Sequence, residues 1–274
     1  MDYSIARPFP DFDKPPVNEV VCGVQFQPLK GMTLPLIGLF WQKIRSVYPK
    51  CQEVPPLVPA VERFDEPVRE DLNPFGDTFP APRIWLETAD GNGLIQIQKD
   101  RFLHNWKKAR DDDQYPHYDQ VIVRFRDSLA TFQEFLKENS LEGISPTQYE
   151  LTYTNDIKRG SGWKNLSEIG AVFPDFSWRN SPQRFLPGPE TINWQTSFIF
   201  PERLGRLRVS IRLGKRRSDG LQTFIMELTA RGMGRDQSPK AMWSWFDLAH
   251  DWIVHGFADL TSDNMHKDYW RRTK

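Results

Sequence analysis

Cysteine is scarce: Cys22 and Cys51 are the only two in 274 residues. Two thiols cannot build a disulfide framework, and without a histidine cluster they cannot close a zinc site. Cys22 falls in an apolar strand, which makes it an inert interior thiol rather than a nucleophile. Long apolar runs are missing too. None approaches the roughly 18–20 residues that a membrane helix needs, and the opening MDYSIARPFPDFDKPP has no signal-peptide core. The expectation is a soluble, cytoplasmic protein with no membrane contact. Net charge is absent as well, with 36 basic and 36 acidic residues. That argues against a generally nucleic-acid-coating protein. The balance hides a mild asymmetry: residues 1–140 carry 17 basic and 21 acidic side chains (−4), and residues 141–274 carry 19 and 15 (+4).

Catalytic signatures are also lacking. No segment reads G-x-x-x-x-G-K-[ST] or G-x-G-x-x-G, and there is no G-x-S-x-G elbow. Nothing in the sequence asks for a cofactor or a resident metal. GSG at 160–162 precedes a helical segment, where its amides serve either a capping turn or an anion, the turn being the plainer account. His250 and His255 lie five apart on one helix, about 140° around the axis, so they cannot share a metal. His255 is placed to pair with Asp251 across a turn.

Aromatic residues are what the chain has in quantity. Ten Trp and nineteen Phe compensate for a hydrophobic share of 39%, because each buries more area than an aliphatic side chain. Twenty-two Pro against seventeen Gly predict long, stiff connections. VNEVVCGVQFQPL (17–29) reads as a strand. TLPLIGLFWQKIRSVYP follows at helical spacing, with Thr33 as N-cap, Pro35 in the first turn and Pro49 as the stop. Residues 49–82 hold eight prolines and read as one long loop. RIWLETADGNGLIQIQ is a hairpin turning between Ala89 and Gly93.

In NGLIQIQKDRFLHNWKK, Ile95 and Ile97 share one parity while Phe102, His104 and Trp106 share the other. A continuous strand cannot bury both sets, so Lys99-Asp100-Arg101 marks a tight turn or a bulge. A long amphipathic helix follows, with Tyr118, Val121, Ile122, Phe125, Leu129, Phe132 and Leu136 on one stripe.

The second half repeats this order at an offset of roughly 130 residues. A strand (QYELTYTNDI), a short helix (WKNLSEIGAVF), three strands (INWQTSFIF, RLRVSIRL, LQTFIMELTARG) and a long amphipathic helix (AMWSWFDLAHDWIVHGFADLTSD) succeed one another. The expected fold is therefore α+β: duplicated β-α-β-β-β-α halves, antiparallel sheets with helices on one face. Residues 1–16 form an N-terminal extension, 17–141 the first half and 142–274 the second.

Several of these segments, in this order, resemble a sporadically distributed prokaryotic family of uncharacterised proteins. They are PPVNEVVCGVQF, LIQIQKDRFLHNW, YPHYDQVIVRFRDSL, LTYTNDI and LAHDWIVHGFADLTSDNMHKDYW. The likeness spans about residues 15–270. It implies a bacterial or archaeal source and no particular activity. A defence or toxin-linked setting would suit such a patchily inherited family.

The most distinctive local feature is PERLGRLRVSIRLGKRR (201–217), with seven basic residues against one Glu. Leu207, Val209, Ile211 and Leu213 alternate with Arg206, Arg208, Ser210 and Arg212, so the pleat turns three arginines to one face. Lys215, Arg216 and Arg217 extend the charge into the turn. Arginine forks match carboxylate and phosphate oxygens. A solvated face with cross-strand partners such as Glu227 is the plainer account.

The functional expectation is a non-enzymatic binding or regulatory protein that offers these six residues to an acidic protein partner. Nucleic acid on the same face is the alternative partner, although the outward parity is almost free of aromatics. A metal-dependent hydrolase or nuclease built on Asp111, Asp112, Asp113 and a nearby His is a third reading. Carboxylates before a helix N-terminus explain those three without metal. Tyr269 and Trp270, after the last helix, are expected to dock back on the sheet or to anchor a partner. Oligomeric state is not written in the sequence.

Overall fold

Alternating burial sets the strands. The computed structural model describes residues 9–58, 60–64, 81–176, 178, 183–216 and 219–274. Nine strands form one antiparallel sheet. They are β1 (Val17–Phe26), β2 (Lys50–Val54), β3 (Arg83–Glu87), β4 (Gly93–Gln98), β5 (Arg101–Lys107), β6 (Pro146–Lys158), β7 (Asn193–Ile199), β8 (Gly205–Lys215) and β9 (Gln222–Gly232). Their spatial order is β2-β3-β4-β5-β1-β6-β9-β8-β7. The order is symmetric about the β1–β6 pair, with β2 the extra strand on one edge. This is an α+β architecture, and β1 and β6 form its centre. Cys22 faces Leu151 and Val24 faces Tyr149 across that seam.

The change of face resolves as a tight turn. Lys99 and Asp100 close the β4–β5 hairpin, and Ile97 lies opposite Phe102 in register. Residues 49–82 are not wholly loop, as their prolines suggest: Lys50–Val54 pair with β3 as β2. Residues 65–80, with Pro67, Pro74 and Pro80, lie outside the described residues, as do residues 1–8 and Pro59.

Among the described residues, four α-helices accompany the sheet: α1 (Leu34–Ile44), α2 (His117–Glu138), α3 (Ile169–Val172) and α4 (Pro239–Leu260). Pro lies in the first turn of α1. The Ser238 hydroxyl caps α4 by accepting from Ala241 N, satisfying one of the amides that a helix start leaves free. The segment expected as one short helix at 163–173 is a 3₁₀ turn, Leu166–Glu168, running into the single turn of α3. Asn165 caps that turn, so the GSG stretch stands before it rather than at a helix start.

The stripes of α2 and α4 cover one sheet face. Phe132 packs on Phe102 (5.0 Å between ring centres), Phe40 (5.4 Å) and Phe26 (6.4 Å). Trp245 packs on Tyr149, and Phe125 meets Phe246 where the two helices touch above the seam. Burying an aromatic side chain of this kind contributes about 1.5–3 kcal/mol, so this layer carries much of the stability. Cys22 lies inside it and Cys51 is exposed. Among the described residues, no helix is long and apolar enough to cross a membrane.

Candidate functional site

The opposite sheet face is polar, and it divides into two parts. At one end it is roofed by chain. Residues 55–58 and 60–64 cross over β4, β1, β6 and β8, tied down by glutamine side chains that stand in for a strand backbone. Leu57 N donates to Gln98 Oε1 (2.9 Å), and Gln98 Nε2 donates to Leu57 O (3.1 Å). Ala60 N donates to Gln25 Oε1 (3.3 Å), and Glu62 N donates to Gln148 Oε1 (2.7 Å). Gln148 Nε2 returns a bond to Ala60 O.

This crossing ends on the basic strand. Arg206 Nη1 lies 2.6 Å and Arg208 Nε 2.7 Å from the Glu62 carboxylate, which is 5% exposed. Arg206 is 12% exposed and Arg208 38%. Arg206 also stands over the Phe64 ring. The pleat does turn Arg206, Arg208 and Arg212 to one face, but two of the three are held within the molecule. Their partner is Glu62 rather than a cross-strand residue. Glu227 instead lies opposite Ser210. Charge-assisted bonds from Glu62 and burial of its carboxylate leave Arg206 and Arg208 little to offer a partner. Burial opposes the charge of Arg208, but the Glu62 hydrogen bond outweighs it and raises its pKa.

The other end of the polar face is open. There the strand ends frame a groove of about 1620 Å³. Its lining includes Lys14, Lys50, Lys107, Lys108, Arg110, Lys158, Arg212, Lys215 and Arg216, nine basic side chains. Against them stand six acidic ones: Asp13, Glu87, Asp90, Asp111, Asp113 and Asp156. Glu87 takes both Lys50 (3.2 Å) and Lys107 (2.5 Å). Arg216 pairs with Asp219 (2.5 Å) and Asp111 (3.3 Å). Lys14, Lys108, Arg212 and Lys215 have no ion-pair partner among the described residues. Asp156 is raised by burial despite Arg216, Lys158 and Arg212 beside it. Arg217 lies outside the described residues.

The three consecutive aspartates do not converge. Asp113 accepts from Asn92 Nδ2 (2.8 Å) and from the Ala109 and Arg110 amides, and these bonds hold it down to about 2. Asp111 turns to Arg216 and Lys158. Among the described residues, no three His, Cys, Asp or Glu side chains are grouped to hold a metal ion. His104, on the inward parity, accepts its place in the core by donating Nδ1–H to Ser128 Oγ (3.2 Å), whose own hydrogen goes to Arg124 O. His255 pairs with Asp251 at 3.2 Å. Trp270 docks against Phe12 and Phe257, while Tyr269 is partly exposed at the groove.

Sequence reasoning found the basic strand and missed what binds it. Glu62 sits 144 residues away in a proline-rich stretch without periodicity. Gln25, Gln98 and Gln148 gave one signal only: each is a polar residue on the outward parity of a strand. No protein-family model matches this chain, and no curated protein sequence matches it.

Proposed function

We propose that this chain is a non-enzymatic binding protein, and that the open end of its polar sheet face receives an acidic protein partner. The observation that carries the reading is the groove in which Arg212, Lys215, Lys108 and Lys14 have no ion-pair partner among the described residues. Arg206 and Arg208, paired with Glu62, and Arg216, paired with Asp219 and Asp111, are removed from the expected contact set, and Arg212 and Lys215 remain in it. Arg212 and Lys215 stand on β8, held on both sides by neighbouring strands, so little backbone ordering accompanies contact. Carboxylates on a partner would meet arginine and lysine donors already placed, which favours rapid encounter and specificity.

The test is capture from the native host with wild-type chain and with an Arg212→Glu/Lys215→Glu double variant, followed by mass spectrometry. An acidic partner recovered with the wild type and lost with the variant supports the reading. Undiminished recovery overturns it. Binding to RNA or DNA with a logarithmic salt dependence matching several released counterions would replace the protein partner with a nucleic acid.

A further inference from the structure

A second cavity, on the helix side of the sheet, differs from the groove in both lining and charge. It measures about 490 Å³ and lies between α2, α4, β6 and the segment around Phe9–Phe12. Its walls are aromatic. Tyr118 and His250 stack at 3.9 Å with a 6° interplanar angle, and the Phe9 ring lies 5.8 Å from that of His250, near parallel to it. The Tyr115 and Tyr153 hydroxyls meet at 2.9 Å. Only one of them can donate to the other, so the second hydrogen is free for another acceptor.

The cavity is also electronegative. Asp11, Asp119 and Asp247 line it, and none has an ion-pair partner among the described residues. Among the described residues of the lining, Lys274 is the only lysine or arginine. His250 adds no charge at neutral pH, because burial pushes it down to about 4. Asn155 supplies an independent sign. It is 2% exposed and lines the cavity, and its amide nitrogen donates to Met226 O (3.3 Å). Its side-chain oxygen has no partner among the described residues.

We propose that this cavity binds a small organic cation bearing N–H donors, of the alkylguanidinium class. Aromatic faces attract a cation through the ring quadrupole. A planar guanidinium also stacks on such rings while its fork reaches carboxylate oxygens. Asp119 and Asp247 supply the carboxylates, and the Asn155 oxygen supplies a neutral acceptor at the interior end. Among the described lining residues, three carboxylates against one lysine disfavour an anion.

The probes are N-butylguanidinium and N-butylurea, which share a shape and differ in charge. Calorimetric titration of the whole chain should show the guanidinium binding at least tenfold more tightly than the urea. Asp119→Asn/Asp247→Asn should weaken the guanidinium at least tenfold and leave the urea unchanged. Both carboxylates are exposed, so the packed interior is spared, and an unaltered melting temperature verifies it. Should the double variant melt early, the two single variants carry the same comparison. No binding of the guanidinium, equal binding of the urea, or full binding by the variants overturns the proposal.

Discussion

Glu62 holds two guanidinium groups from a position that is nearly closed to water. Removing one member of such a set strands the others, which costs more than the set contributes. Glu62→Gln is therefore expected to lower stability by about 2 kcal/mol, Arg208 being partly solvated. Urea denaturation measures it. The same variant should bind polyanions more strongly, because Arg206 and Arg208 lose their internal partner. Stability and anion affinity moving in opposite directions is the distinguishing outcome. Phe132 meets three other phenylalanines, and Phe132→Ala should cost about 3–5 kcal/mol by the same measurement.

Two histidines tie stability to pH at this scale. His104 is pushed down to about 4 by burial, with Arg124 adding to it. His250 is pushed down to about 4 by burial, with His255 adding to it. Unfolded, each titrates near about 6.5. Between those values the unfolded chain binds protons that the folded chain refuses. Stability therefore falls as pH drops from about 6.5, and this contribution is gone below about 4. Each histidine should add about 1 kcal/mol per pH unit to the slope in that window. His104→Gln should remove its own share, read from denaturation curves between pH 7 and 4.5.

Among elements, the crossing segment is the one that local rules describe least. Its amides at Leu57, Ala60 and Glu62 donate to side chains of β4, β1 and β6 rather than to a neighbouring strand. Hydrogen exchange should find them protected. Gln148→Ala should release Glu62 and leave Leu57 protected, whereas simultaneous release of both would show a single cooperative tether. The elements with clear periodicity, β1, α2, β6, β8 and α4, were legible because each sets its apolar residues on one face, and β5 because Phe102, His104 and Trp106 share a parity. β2 was not. All but its last residue are exposed, so no apolar alternation distinguishes KCQEV from loop. The basic groove was legible in part. Arg212 and Lys215 follow from the pleat of β8, but Lys14 and Lys108 reach it from segments far apart in the chain, and only tertiary structure joins them.

For the whole molecule, the seam decides cooperativity. β1 and β6 pair along their length with Val20, Cys22 and Val24 buried on the helix side, and α2 meets α4 above them. Neither half keeps its layer of side chains if the other departs. Unfolding is expected as one transition, with loss of far-ultraviolet ellipticity and of tryptophan fluorescence coinciding. Val24→Ala at the seam should lower stability by about 2 kcal/mol. The loss should appear equally in the slowest-exchanging amides of β4 and β8. Unequal losses would mean that the halves open separately.

The glutamine ties have a mechanical corollary. Every described hydrogen bond that pins residues 57–62 to the sheet ends on a side chain, so none belongs to the inter-strand ladder. Peeling that cover away would leave all nine strands zipped, and would uncover two arginines in line with Arg212.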